Sequence, residues 1–173
     1  REKVNLSYLS SHYNVDKNSI DLLELEGFVI DGNNESYIAM TEFLYENSLD
    51  DNANYEIIKN QIDIPSFIDY NLFQIYIANT DWPGNNNKFW RSRTEKPKWR
   101  WLLFDTDFGF GFLNEYDYHH NTLEYATEAF GPAWPNPPWG TLILRKLLEN
   151  DLFKTQFINR FSDLSNTTFT AEN

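Results

Sequence analysis

Lys98-Trp99-Arg100-Trp101-Leu102-Leu103-Phe104-Asp105-Thr106-Asp107-Phe108-Gly109 is the stretch on which the fold turns. Its first half is nearly all apolar in Trp99, Trp101, Leu102, Leu103 and Phe104, the composition of a buried strand. Its second half sets Asp105 and Asp107 on alternate positions directly after that strand, where two carboxylates repel each other unless a cation or a donor sits between them. Just upstream, Lys88 to Arg91 reads as a second strand, so Lys88–Arg91 and Lys98–Phe104 are predicted to pair as a β-hairpin.

Working outward, Thr80-Asp81-Trp82-Pro83-Gly84-Asn85-Asn86-Asn87 is a loop by composition. Before it, Ile64-Pro65-Ser66 places proline early in a helix, and Phe67, Ile68, Leu72, Ile75 and Tyr76 mark a buried stripe that continues to Ala78 and ends at Asn79. Nearer the N-terminus, Val4 to His12 reads as a weakly amphipathic helix, Ile20 to Ile30 as a short strand or extended pair, and Asn34 to Asn47 as an amphipathic helix. Leu49 to Tyr55 is an Asp/Asn-rich loop that leads into a short helix containing Tyr55, Ile57 and Ile58. Downstream, Asn114 to Tyr125 is polar and aromatic, and Gly131 to Gly140 is rich in Pro and Trp. Two closing helices are predicted at Thr141 to Asn150 and Asp151 to Ser165, with Leu142, Leu144, Leu147, Phe153, Phe157 and Phe161 as core candidates. The expected fold is α+β, mostly helical with a small central β-hairpin, in a single domain. Residues 1–60 form its lead-in, 61–111 its central segment and 112–173 its C-terminal helices.

The bulk properties agree with one folded unit. In 173 residues, 41% are hydrophobic and 17% aromatic, too apolar for a disordered tail. Fourteen Lys and Arg against 26 Asp and Glu leave a formal charge of −12, which disfavours nucleic acid as a partner. There is no cysteine, so thiolate catalysis, disulfides and Cys-based zinc sites are excluded. No apolar run approaches the roughly 18 residues of a membrane helix, so no membrane insertion is expected. The chain starts at Arg1 without a signal-peptide pattern and is expected to be a piece of a longer protein, with its localisation unknown from the sequence.

The order helix, Asp-bearing loop, hairpin and Asp-x-Asp-Phe-Gly supplies the parts that phosphoryl transfer from a nucleotide requires. A carboxylate must orient the hydroxyl and accept its proton, and oxygen ligands must hold Mg²⁺ across the phosphates. Asn86 follows Asp81 at five positions, the spacing of a catalytic-loop base and its metal-ligating amide. Asp107-Phe108-Gly109 spells DFG at the end of a strand. The bland alternatives are a helix-terminal turn for Asp81, a left-handed turn for Asn85 to Asn87, and a strand-end turn at Asp105 and Asp107 plugged by Phe108 and Phe110. The chain has no GxGxxG phosphate loop, no V-A-I-K-like strand and no His-Arg before Asp81.

Phe67-Ile68-Asp69-Tyr70, Asn79-Thr80-Asp81-Trp82 with Asn85-Asn86-Asn87, Phe89-Trp90-Arg91, and Lys98-Trp99-Arg100-Trp101 running into Phe104-Asp105-Thr106-Asp107-Phe108-Gly109 together resemble the CotH family, the spore-coat-protein-H-like atypical protein kinases. The resemblance covers Ile64 to Gly111 well and the flanks loosely. It implies a protein-kinase-like C-terminal lobe, dependence on ATP and on Mg²⁺ or Mn²⁺, a secreted or cell-surface location, and a secreted or surface-associated protein as substrate. Asp81 matches the catalytic Asp, Asn86 or a neighbouring Asn the metal-ligating and nucleotide-binding amide, and one of Asp107 and Asp105 the metal-binding Asp, with Asp107 ranked first on the DFG spelling. It also implies that the nucleotide-anchoring Lys and most of an N-terminal lobe precede Arg1, which makes this chain a catalytic-lobe fragment that alone can be inactive. Two other readings stand beside it: a pseudokinase or protein-docking module without catalysis, and a glycosyltransferase whose metal-binding DxD is Asp105-Thr106-Asp107, which calls for several βα units upstream.

Six basic residues, Lys88, Arg91, Arg93, Lys96, Lys98 and Arg100, crowd the hairpin and read as a solvated tip or as phosphate contacts. His12, His119 and His120 lack partners at metal-ligand spacing and read as surface residues. Trp134, Trp139 and the prolines between them plug the base of the lobe or line a recognition groove.

Overall fold

The computed structural model describes residues 3–94, 97–112 and 119–170. Strands β1 (Ile20–Glu24), β2 (Phe28–Asp31), β3 (Lys88–Ser92) and β4 (Arg100–Leu102) form an antiparallel sheet in the order β2-β1-β3-β4. Around it lie α1 (Leu6–Tyr13), α2 (Glu35–Glu46), α3 (Asn52–Lys59), α4 (Ile64–Tyr76), α5 (Thr122–Ala126), α6 (Pro138–Leu147) and α7 (Asp151–Thr167). The α+β, mostly helical fold expected from the sequence is the fold observed. Among the described residues no helix is long and apolar enough to cross a membrane.

Strand register decides which side chains meet. Leu23, Phe89 and Trp101 stand abreast across β1, β3 and β4, facing the main core. There the Phe89 and Trp101 rings stack with centroids 5.4 Å apart, and Phe67 of α4 meets Trp101 edge-on at 4.7 Å. Leu22, Trp90 and Arg100 form the row on the opposite face, where α1 contributes Leu9 and the Arg100 guanidinium lies 5.8 Å over the Trp90 ring. Each large apolar side chain shut away here contributes about 1.5–3 kcal/mol, so the two-sided burial of β1 and β3 fixes the sheet.

Helix α4 begins as the sequence predicts. Asp63 accepts the Ser66 amide at 3.3 Å, Pro65 occupies the first turn, and Ile64, Phe67, Ile68 and Leu72 are buried. Three expectations are corrected. The hairpin is half of a four-stranded sheet, because β1 pairs with β3 from nearly 70 residues away, a partnership that no local pattern announces. The strand predicted over Lys98–Phe104 spans only Arg100–Leu102; Trp99 makes a lone parallel bridge to Ile62, and Leu103 is 47% exposed where the chain leaves the ladder. Phe161 is exposed too, because a second step of four residues beyond Phe157 has rotated to the edge of the stripe formed by Phe153, Phe157 and Leu164.

Candidate active site

The candidate residues are aimed by the way α4 stops. After the αR residue Ile77, Ala78 turns left-handed at φ +52°, the Ala78 amide bonds Ile75 O at 3.1 Å, and the Asn79 amide bonds Gln74 O at 3.2 Å. This is a Schellman stop with alanine where glycine is usual. Side chains extend it: Asn79 Nδ2 donates to Gln74 Oε1 at 2.8 Å, and Asn79 Oδ1 accepts the Asp81 amide at 3.1 Å. Gln74, Asn79 and Asp81 are 0%, 0% and 4% exposed, so the loop leaves the helix on a buried polar relay.

Asp81 is then gripped by its own loop. Asn85 Nδ2 donates to Asp81 Oδ1 at 3.0 Å and Oδ2 at 2.9 Å, and Asn86 Nδ2 donates to Oδ2 at 2.7 Å. Asn86, left-handed at φ +49°, also reaches the Asp105 carbonyl at 3.3 Å. Asparagine tolerates that backbone region better than other non-glycine residues. Asn87 turns inward instead, 6% exposed with Nδ2 3.4 Å from Pro83 O.

The Asp105–Gly109 segment packs back onto the end of α4. Phe108 O accepts from the Thr80 amide at 3.3 Å and from Thr80 Oγ1 at 3.4 Å, and the Phe110 amide bonds Ile77 O at 2.6 Å. A Cβ on Gly109 would lie 2.9 Å from Ile77 Cδ1. Asp105 is half-buried with φ +51°, whereas Asp107 is exposed. On the far side of the loop, the Gly84 amide donates to Pro135 O at 2.7 Å, and a Cβ at Gly84 would come within 2.4 Å of that oxygen. The loop is therefore clamped between the Asp-x-Asp-Phe-Gly turn and the Pro-rich stretch before α6.

The structure thus brings Asp81, Asn86 and the Asp105 backbone together, with Asp107 two residues on at the surface. The sequence offers Asn85 as part of an Asn run and as a neighbour of Asn86, not as a partner of Asp81, yet it makes the two-pronged contact; its place four residues after Asp81 is the available signal. Tyr125, of α5, was missed altogether. Its hydroxyl is buried, and burial first, then the charge of Asp81, pushes it up to about 12.

The basic cluster lies elsewhere. Arg91 Nε and Arg93 Nη1 pair with Asp21 at 2.9 and 3.0 Å, Arg100 Nε pairs with Asp63 at 2.8 Å, and Lys98 Nζ donates to Lys59 O at 2.9 Å. These four side chains tie strands to neighbouring elements rather than forming a solvated tip or a phosphate contact; Lys96 lies outside the described residues. His12, His119 and His120 are exposed, as expected. Trp134 is 59% exposed while Trp139 is half-buried beside Gly140 and Ile143, so one of the pair faces solvent and the other packs. A cavity of about 500 Å³ between α1, α4, β4 and α7 contains none of the candidate residues.

The family model described as CotH kinase protein matches residues 8–173 of the chain. No curated protein and no solved structure matches it.

Proposed function

This chain belongs to the CotH kinase family, and from that premise we propose that it transfers the γ-phosphoryl group of ATP to a hydroxyl of a protein, with Asp81 as proton acceptor. The observation that carries the reading is how the carboxylate is held. Oδ2 accepts from Asn85 and Asn86 at 2.9 and 2.7 Å, whereas Oδ1 accepts from Asn85 alone at 3.0 Å. Each carboxylate oxygen has about two acceptor positions, so Oδ1 keeps one for an incoming hydroxyl. The acceptor oxygen bonds to the γ-phosphorus as the bond to the bridging oxygen of ADP breaks, and the hydroxyl proton passes to Oδ1. The two amides fix the rotamer of Asp81, and burial keeps bulk water from competing for that position.

The residues suit a hard divalent cation. Asp107, Asp105 and the Asn86 amide oxygen are all oxygen donors, and Asn86 Nδ2 is already engaged with Asp81 and Asp105, which leaves Oδ1 for ligation. Among the described residues no three His, Cys, Asp or Glu gather into a ligand cluster. Mg²⁺ commonly takes one or two carboxylates and completes its shell with phosphates and water. Bound there, Mg²⁺ or Mn²⁺ would offset phosphate charge. The sheet is antiparallel throughout, unlike the parallel βα units that a nucleotide-sugar DxD reading calls for. The family resemblance further supports a secreted or surface-associated protein as the acceptor.

The test is transfer of label from γ-labelled ATP with Mg²⁺ or Mn²⁺ by the protein extended upstream of Arg1, comparing wild type with Asp81→Asn, Asp105→Asn and Asp107→Asn. Transfer by wild type, abolished at Asp81 and lost on one of the other two, supports the reading and ranks Asp105 against Asp107. ATP binding without transfer by wild type leaves the acceptor protein to be supplied, whereas no ATP binding at all turns the reading to a non-catalytic docking protein.

A further inference from the structure

Of the six basic residues that crowd β3 and β4, Lys96 lies outside the described residues and four are committed. Arg91, Arg93 and Arg100 are tied to carboxylates and Lys98 to a backbone carbonyl, at 2.8 to 3.0 Å. Lys88 is held differently: Glu24 Oε2 stands 3.8 Å from its Nζ, too far for a hydrogen bond, and the ammonium lies 5.0 Å over the Phe104 ring. A partly exposed ion pair that loose contributes little to stability. Strand register puts this lysine at the site. It is the first residue of β3, directly after Asn85, Asn86 and Asn87, and Glu24, Lys88 and Leu102 stand abreast across β1, β3 and β4. On that face Leu102 and the half-buried Phe104 belong to one cluster with Trp90. Phe104 directly precedes Asp105, whose carbonyl takes the Asn86 amide at 3.3 Å. The ammonium therefore lies where the end of the Asp81 loop and the start of the Asp-x-Asp turn run side by side.

Asp81, Asp105 and Asp107 are all acidic, in a chain of formal charge −12, so phosphate groups approaching them are repelled unless cations offset the charge. A divalent cation supplies part of that offset. An ammonium on a flexible stem, held to its ring and counter-ion by weak contacts alone, can supply more without breaking a hydrogen bond. We propose that Lys88 is a phosphate-binding residue of the site, its ammonium leaving Glu24 and the Phe104 ring to hydrogen-bond phosphate oxygens of the bound nucleotide. The inference deepens the phosphoryl-transfer reading and rests on it for the identity of the anion. It adds a contact within this chain to the nucleotide-anchoring lysine that the resemblance places before Arg1.

The test is binding of ATP and of adenosine, each with Mg²⁺, to the protein extended upstream of Arg1, read by ligand-observed NMR for wild type, Lys88→Met and Lys88→Arg. Methionine keeps an unbranched stem over Phe104 and removes the charge; arginine restores the charge. ATP should bind Lys88→Met about 10- to 100-fold more weakly, the loss of a hydrogen bond to a charged group, and Lys88→Arg should recover most of that affinity. Adenosine, which has no phosphate, should bind all three proteins alike, and their thermal midpoints should agree because the pair with Glu24 is weak. A merely structural lysine would weaken ATP and adenosine together and lower the midpoint, and that result overturns the proposal. So does ATP binding to Lys88→Met as tight as to wild type, or to Lys88→Arg as weak as to Lys88→Met. Label transfer is scored separately. Lys88-dependent ATP binding with no transfer to any acceptor protein supplied counts against the transfer reading alone, transfer with Lys88-independent binding sinks this inference alone, and no ATP binding by wild type sinks both.

Discussion

Asp21 and Asp81 are both buried, 0% and 4% exposed, but Asp21 is held by guanidinium groups and Asp81 by carboxamides. Asp21 takes Arg91 and Arg93 at 2.9 and 3.0 Å and the Asn33 amide at 2.9 Å, a neutralised arrangement that ties β1 to β3 and to the entry of α2. Asp81 takes three contacts from Asn85 and Asn86, and among the described residues no cationic side chain pairs with it. A buried carboxylate compensated in full by arginine has no reason to bind or react. One compensated only by neutral donors keeps its negative charge unneutralised and its attraction for a cation. On the proposed reading the same residue type is structural in the sheet and chemical in the loop, and its partners make the difference.

The sharpest break of this comparison is Asp81→Asn. Turnover should fall about 10²–10⁴-fold while the thermal midpoint stays near wild type, because the substituted amide still offers an oxygen to Asn85 and Asn86. A midpoint that collapses with activity would make Asp81 structural after all.

Asp21→Ala should do the reverse. Removing the carboxylate leaves Arg91, only 15% exposed, without its partner, and losing one member of a buried pair costs about 3–5 kcal/mol. Denaturant titration should register that loss, and phosphoryl transfer measured at a temperature where the variant is still folded should be unaffected. Adding Arg91→Ala should recover part of the stability; if the double variant is no better than additive, the pair is not coupled.

Glu149 gives an intermediate case. Burial would raise it, but Lys146, the Leu49 amide and the Ser48 hydroxyl outweigh that and hold it below the usual carboxylate value of 4.5. The contacts measure 2.8 Å to Lys146, 2.8 Å to Leu49 N and 3.0 Å to Ser48. Because the folded value is depressed, the stabilisation is present above about pH 4.5 and lost as the pH falls through the folded value. For a carboxylate with a third of its side chain in water, Glu149→Gln should cost about 1 kcal/mol at neutral pH. The gap between wild type and variant should close in acid. A gap that persists there would assign the effect to packing instead of charge.

These three carboxylates also mark what the sequence could tell. Asp81 was legible because it follows a helix with a clear stripe and a proline start, and because Asn86 stands at a chemically meaningful spacing. The partners of Asp21 were not, since Arg91 and Arg93 are about 70 residues away in sequence and the basic run looked like a surface feature. Strand pairing of β1 with β3 was hidden for the same reason: periodicity reports burial, not who lies alongside. Tyr125 lies in the five-residue α5 and Asn136 in irregular Pro- and Trp-rich chain, both too short or too irregular for a period to be read. The Asp105-Thr106-Asp107 doublet was legible as a pair, but which carboxylate would serve a metal depends on local backbone, with Asp105 turned left-handed beside Asn86 and Asp107 exposed.

Backbone geometry separates the two aspartates once more, and offers the finest test. Asp21 sits in the extended backbone of β1, whereas left-handed residues stand on either side of Asp81, at Ala78 before it and at Asn86 and Asp105 after it, with φ of +52°, +49° and +51°. Alanine in that region carries a steric cost of roughly 1–2 kcal/mol that glycine avoids, offset in part by glycine's larger loss of freedom on folding. Ala78→Gly should therefore stabilise the chain by about 0.5–1 kcal/mol, a rise of about 2–4 °C per kcal/mol for a domain of this size. The Schellman contacts of Ala78 and Asn79 are made by backbone amides and survive the change, so the aim of Asp81, and with it turnover, should be preserved. A rise in midpoint accompanied by lower turnover would mean that stiffness contributed by the alanine side chain holds the loop in register; a fall in midpoint would mean that the left-handed turn at Ala78 costs nothing, and that the loop's conformation is set by the Asn79 relay alone.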